Sequence, residues 1–176
     1  MTPARPGSRL ILLRHAPAAP RDPRRWPDDR DRPLSEEGAQ EFLGAARGLS
    51  RLLAEEGEIL TSPLRRARQT AALLHRAWKG SSSPRLFPPL NETEESASLL
   101  SALGRRPWQG DRVLVGHEPQ LVGLVGLALT GEAIPVVDLS RGGAIALRFS
   151  GPPGPQRGTL LWGLNRKQLR SLGPGE

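Results

Sequence analysis

Two of the chain's histidines end short apolar runs in company that suits chemistry. His15 directly follows Arg14 after residues 10–13, and His117 follows Gly116 after residues 113–115. Between them, Ile59 and Leu60 lead into Thr61, Ser62 and then Arg65 and Arg66. Open α/β sheets bind ligands beyond the carboxyl ends of their strands. Read as parallel strands, the three runs would therefore bring two imidazoles and two or three guanidinium groups to one spot. Such a cluster repels itself unless an anion sits in it. At an effective dielectric of about 20, a cation about 4 Å from an anion gains roughly 4 kcal/mol. A phosphate dianion is the natural occupant, because its oxygens match guanidinium forks. Imidazole attacks phosphorus through an unprotonated nitrogen, and a reference pKa near 6.5 leaves that form available at neutral pH.

The elements that must position these residues alternate between apolar runs and helical patterns, which predicts α/β architecture. Residues 9–13 read as a strand buried on both faces. Residues 16–33 hold five prolines and a mixture of Arg and Asp around Trp26, and read as a long surface loop that could serve as a lid or substrate wall. Ser35 can cap a helix whose first turn carries Glu36 and Glu37, with Ala39, Phe42, Ala46, Leu49 and Leu53 on its inner face. Ile59 and Leu60 form a short second strand. Pro63 suits a first helical position, and Ala67, Ala71, Leu74 and Trp78 then share one face. Residues 85–87 suggest a small edge strand, residues 96–103 a short helix and residues 113–115 a third strand. Pro119 opens a helix apolar nearly all round, hence central. Residues 144–149 and 159–164 predict an antiparallel hairpin at the sheet edge. The expected whole is a three-layer α/β/α fold with a mixed, mostly parallel sheet flanked by helices on both faces. A single domain is expected over residues 9–170, with flexible ends at 1–8 and 171–176.

Composition narrows the function classes. With 176 residues the chain can bury a core without staples, and with no Cys it has no disulfide, no Cys-ligated metal and no thiol nucleophile. Its 25 Lys plus Arg exceed 18 Asp plus Glu by 7. All but Lys79 and Lys167 of those cations are Arg, scattered along the chain among acidic clusters at residues 28–31 and 92–95. Nucleic-acid binders concentrate charge on one face, so an RNA-associated role ranks behind the others, although a positive field favours anionic substrates generally. The run at residues 10–13 is too short for a signal peptide, and that at 121–129 spans about half a bilayer. The expectation is a cytoplasmic protein with no membrane partner.

Four ordered motifs carry a resemblance. Residues 12–16 (LLRHA), 32–38 (RPLSEEG), 61–70 (TSPLRRARQT) and 113–119 (VLVGHEP) resemble the histidine phosphatase superfamily, also called phosphoglycerate-mutase-like. The short chain and the VGHEP form are most similar to its phosphohistidine phosphatase SixA branch. The resemblance runs from about residue 9 to 129. It implies that His15 is the nucleophile, phosphorylated covalently in the reaction, with Arg14, Arg66 and His117 binding the phosphoryl oxygens. In the family pattern the clamping Arg directly precedes Ala, which selects Arg66 over Arg65. No metal or cofactor is implied. One departure stands out. The family trio is Arg-His-Gly, and here Ala16 replaces the glycine, a change that would be strained at positive φ.

Ester-cleaving relatives carry an acid between the two clamping regions. Glu92 occupies that stretch, with Glu94 and Glu95 as rivals. An alkoxide leaving group needs such an acid, whereas imidazole leaving from phosphohistidine, with its pKa near 6.5, needs far less help. The resemblance thus implies a phosphatase of phosphohistidine on a signalling or phosphotransfer protein, binding phosphate and analogues such as vanadate or tungstate. Small phosphate esters, or a mutase reaction, form the second reading. A non-catalytic module that binds phosphate or phosphoprotein is the alternative of another class. Ser35 and Ser62 read as caps, His75, Arg65 and Arg68 as helix-surface residues, and a zinc site on His15 and His117 lacks a third ligand.

Overall fold

The computed structural model describes residues 9–173. Of the flexible ends expected at 1–8 and 171–176, residues 1–8 and 174–176 lie outside the described residues. The order is β1 (Arg9–Arg14), α1 (Glu36–Ser50), β2 (Gly57–Thr61), α2 (Arg65–Ala77), β3 (Arg85–Leu86), α3 (Ser96–Gly104), β4 (Asp111–Gly116), α4 (Gln120–Thr130), β5 (Ala144–Phe149), β6 (Gly158–Leu164) and α5 (Arg166–Ser171). One six-stranded sheet runs β3-β2-β4-β1-β5-β6. The first four strands in that order are mutually parallel, and β5 and β6 add an antiparallel edge hairpin. No helix among the described residues is long and apolar enough to cross a membrane.

The continuous apolar run of β1 is explained by burial on both faces. Leu10 and Leu12 join the core under α3 and α4, whereas Ile11 and Leu13 join the one under α1, α2 and α5. This gives the expected three layers. At the other end of the sheet the carboxylate of Asp111, wholly buried, takes two bonds from Arg9 at 2.9 and 2.6 Å and one from the Ala54 N–H at 2.7 Å. That pairing fixes the amino ends of β1 and β4 and leaves their carboxyl ends for the site.

Helix α1 begins as its sequence dictates, with the Ser35 hydroxyl accepting from the Gly38 N–H at 2.9 Å. Gly38 has a second reason to be glycine. A Cβ there would stand 2.3 Å from the Pro17 carbonyl oxygen, so the helix entry packs directly on the segment after His15. Leu53 lies beyond the end of α1 and packs on the core from the following turn. Pro63 is not in a first helical position as expected. The Ser62 N–H is taken by the Val115 carbonyl, and Leu64 stays extended, so α2 starts at Arg65. Pro119 likewise sits just before α4, as its cap.

Helix α5 was not expected. It is only six residues long, too short for a periodic signal, and is nucleated by a capping box in which Asn165 and Gln168 exchange side-chain and backbone bonds. Leu169 seals it against α1. The chain is therefore helical through Ser171, a position the sequence reading places in the tail.

Candidate active site

The ladders bring the three motif ends side by side. Arg14 pairs with Gly116 across β1 and β4, and Thr61 with Val115 across β2 and β4. Backbone bonds then extend the ladders one residue further, from the His15 N–H to the Gly116 carbonyl and from the Ser62 N–H to the Val115 carbonyl, each at 3.0 Å. From the opposite side the N–H of Gly142 lies 3.0 Å from the Arg14 carbonyl and 3.1 Å from that of His15. Gly142 has φ +76°, in the left-handed region that glycine tolerates.

His15 and His117 face each other with ring centroids 5.5 Å apart. Nδ1 of His15 lies 2.7 Å from the Ala16 carbonyl oxygen. A carbonyl only accepts, so Nδ1 carries the proton and the lone pair is on Nε2. Ala16 itself is wholly buried among apolar neighbours, and its φ is not positive, a property confined among the described non-glycine residues to Gln156. Its methyl group therefore stands without backbone strain. The Ala16 N–H donates to Thr70 Oγ1 at 3.0 Å, which in turn donates to the Arg66 carbonyl at 2.7 Å, tying α2 to the nucleophile segment. This explains the threonine that closes TSPLRRARQT.

Nε2 of His117 lies 2.6 Å from the Ser62 hydroxyl, and that oxygen also accepts from the Leu64 N–H at 3.3 Å. Ser62 is not the helix cap expected of it, because α2 starts at Arg65 with Leu64 as its cap and no side-chain capping bond, and its hydroxyl serves instead as the partner of His117. Nδ1 of His117 and Nε of Arg14 and of Arg66 are buried and make no hydrogen bond within the described residues.

Arg14 donates through Nη1 to the Leu139 carbonyl at 2.9 Å and pairs with Glu118 at 2.7 Å. Arg66, almost wholly buried, donates to the Asp29 carbonyl at 2.8 Å, with the Asp29 carboxylate 3.2 Å away. The residue 16–33 loop is therefore a wall of the site, resting on Arg66 through the short turn Asp29–Asp31. A hydrogen bond from Arg32 is the main influence holding the Asp29 carboxyl below its ordinary pKa. Trp26 carries the Arg25 guanidinium on its ring, 4.9 Å from the centroid. Glu92 is half-exposed with its carboxylate 3.8 Å from Arg66 Nη2. Arg65 is exposed and donates to the Asp31 carbonyl at 3.4 Å. His75 bonds Ser81 on the far end of α2.

The four central groups share one electrostatic environment. Burial first, and then the charges of Arg66 and Arg14, push His15 down to about 4 against the opposing Ala16 bond. Burial and then His15, Arg66 and Arg14 push His117 down to about 3. Both rings are neutral at pH 7, facing fixed cations. In an NMR titration both imidazoles should remain neutral from pH 7 to pH 5. The linkage has a definite sign. Each folded pKa lies below 6.5, so the unfolded chain takes up protons first and stability falls with pH below 6.5, down to about 4 for His15 and about 3 for His117. The slope is up to about 1.4 kcal/mol per pH unit per ring. Urea unfolding at pH 7 and pH 5 measures it, and equal stabilities would contradict it.

Sequence reasoning overlooked Asp29, Thr70 and Arg141. Thr70 lay in a quoted motif and Asp29 in the suspected wall. Arg141, which acts on both Arg14 and His15, had no local signal. It is placed by the turn into β5, far along the chain from either.

Comparison with known proteins agrees with this geometry. Residues 10–96 match the model of the histidine phosphatase superfamily, branch 1, a stretch that holds Arg14, His15, Arg66 and Glu92 and ends before His117. A protein of Picosynechococcus sp. is 36% identical over 141 residues, covering 79% of this chain and 84% of its own. The solved SixA of Agrobacterium tumefaciens is 28% identical with a TM-score of 0.69, over 90% of this chain and 97% of that one. A protein histidine phosphatase SixA solved with tungstate shares the fold at 23% identity and a TM-score of 0.72, over 92% and 99%. The chain belongs to the histidine phosphatase superfamily.

Proposed function

We propose that the protein is a phosphatase that works through a covalent phosphohistidine at His15, and that its substrate is phosphohistidine on a phosphotransfer protein. The observation that carries this is the neutral His15 ring, with its Nε2 lone pair free, set opposite His117 and within the field of Arg14 and Arg66.

In the first step Nε2 of His15 attacks phosphorus. A P–N bond forms as the bond to the leaving group breaks, and the leaving atom takes its electron pair. Arg14 and Arg66 neutralise the charge spread over the equatorial oxygens, which is where protein groups contribute most in a loose phosphoryl-transfer transition state. In this reading the Ser62 hydroxyl is the donor to Nε2 of His117, the tautomer that presents Nδ1–H to a phosphoryl oxygen. Water then attacks phosphorus, the P–N bond to His15 breaks, and inorganic phosphate leaves. Tungstate bound to the SixA neighbour supports binding of phosphate analogues here.

Phosphohistidine is preferred to an ester because of the acid. Glu92 is half-exposed and paired at long range with Arg66, a weak hold for a proton donor. A departing imidazole needs little help, whereas an alkoxide needs a general acid worth about 10²–10⁴. Small esters remain the second reading, favoured by the position of Glu92 beside Arg66. A phosphohistidine protein should be turned over faster than a panel of small esters. Glu92→Gln should slow ester cleavage by about 10²-fold and leave phosphohistidine cleavage nearly unchanged. Equal losses on both would remove Glu92 from the acid role, and faster turnover of an ester would replace the substrate assignment.

A further inference from the structure

Beside the phosphoryl site, and sharing Arg14 with it, lies a groove of 790 Å³ whose charged lining is Arg14, Glu41, Arg141, Arg166, Lys167 and Arg170. Five cations face a single carboxylate, and that carboxylate is already paired with Arg166 at 2.6 Å. Arg166 also reaches the Arg141 carbonyl at 3.4 Å, so β5's leading turn and α5 form one wall.

Arg141 is the link to catalysis. Its side chain is exposed and has no hydrogen bond or ion pair among the described residues, yet its charge reaches both Arg14 and His15. The next residue is Gly142, whose N–H lies against the Arg14 and His15 carbonyls. The backbone that fixes the nucleophile thus also fixes this cation beside it. A single phosphoryl group is accounted for by Arg14, Arg66 and the two imidazoles. Arg141, Lys167 and Arg170 lie outside that set, spread over a turn and a helix, a spacing suited to an extended chain with several carboxylates.

We propose that this groove is a second anion site that seats an acidic segment of the protein carrying the phosphorylated histidine. The proposal rests on the phosphohistidine reading and adds to it where the substrate's flanking residues lie and which charge they bear. Exposed ion pairs are individually weak and salt-screened, so two or three of them set specificity while the phosphoryl clamp supplies the anchor.

The test is binding, which does not depend on turnover. Two fluorescent peptides carry a non-hydrolysable phosphohistidine analogue, one flanked by Glu and the other by Gln at the same positions. Anisotropy with the wild-type chain should show about 10-fold tighter binding of the Glu peptide at low salt, a preference that shrinks as salt rises. Arg141→Gln with Lys167→Gln should abolish the preference, and Arg141→Glu should reverse it. Both positions are exposed, and an unchanged urea midpoint shows that the fold is intact. Equal binding of the two peptides, no binding of either, or a preference that survives the double variant would overturn the proposal. So would a small bisphosphate that competes better than a monophosphate only when Arg141 and Lys167 are present, with no peptide preference, since that assigns the groove to small polyanions. The phosphohistidine reading fails separately, in the turnover assay, if the phosphoprotein is not cleaved.

Discussion

His15→Ala is expected to lower kcat by at least about 10⁴-fold on every substrate the protein turns over, because a covalent route loses its nucleophile and only charge stabilisation is left. Nδ1 of His15 is engaged by its neighbour's carbonyl and Nε2 is its one nitrogen with a free lone pair, so no other atom of that ring can take its place. His117 is poorly suited to substitute, since its Nε2 is held by Ser62. The variant should still bind tungstate, through Arg14, Arg66 and His117. Rapid acid quenching with labelled substrate should trap a phosphorylated wild-type chain and none in the variant. Retention of a tenth of wild-type turnover would end the covalent assignment. Tight tungstate binding by a wild-type chain that never hydrolyses p-nitrophenyl phosphate or phosphohistidine would instead favour a binding module.

Arg66→Ala should reduce kcat/KM by about 10²–10³-fold, in line with removing one preorganised donor from a transition-state site. The guanidinium is buried, acts on both imidazoles, and has its Nε without a partner. Arg66→Lys should recover only part of the loss, because an ammonium is a point charge and cannot present a fork. The truncation also frees Asp29 from Arg66, so the thermal midpoint must be read beside the kinetics. A large drop in midpoint with unchanged kcat/KM would make Arg66 a structural residue that anchors the wall. Arg65→Ala, one residue earlier and exposed, should change little, and this contrast tests the choice between the two arginines.

Much of the architecture could be read from residue order because β1, α1 and α4 announce themselves. Leu10 to Leu13 are apolar without interruption where both sheet faces are covered, and Ser35 with Glu36 and Glu37 marks a helix start that the structure keeps. Arg14, His15 and His117 were legible because each stands at a strand end, so local sequence fixes its height in the sheet, whereas Arg66 was separated from Arg65 only by the family pattern that puts the clamping Arg before Ala. The features that stayed hidden depend on contacts distant in sequence. Arg141 reaches His15 only because β5 runs antiparallel beside β1, and Asp29 reaches Arg66 only because the loop folds back on α2. Helix α5 was missed for another reason: six residues carry no period, and only the Asn165 and Gln168 pair betrays it. Pro63 misled because a strand-end bond at Ser62 outranked the intrinsic preference of proline.

The amide of Gly142 spans the carbonyls of Arg14 and His15, so residues near the start of the polypeptide are set in place by a turn made near its end. A nascent chain emerging from the ribosome would carry its reactive imidazole well before the last of its backbone anchors is made. A chain truncated ahead of residue 142 would keep the pairing of its earlier strands and lack the amide that spans those two carbonyls.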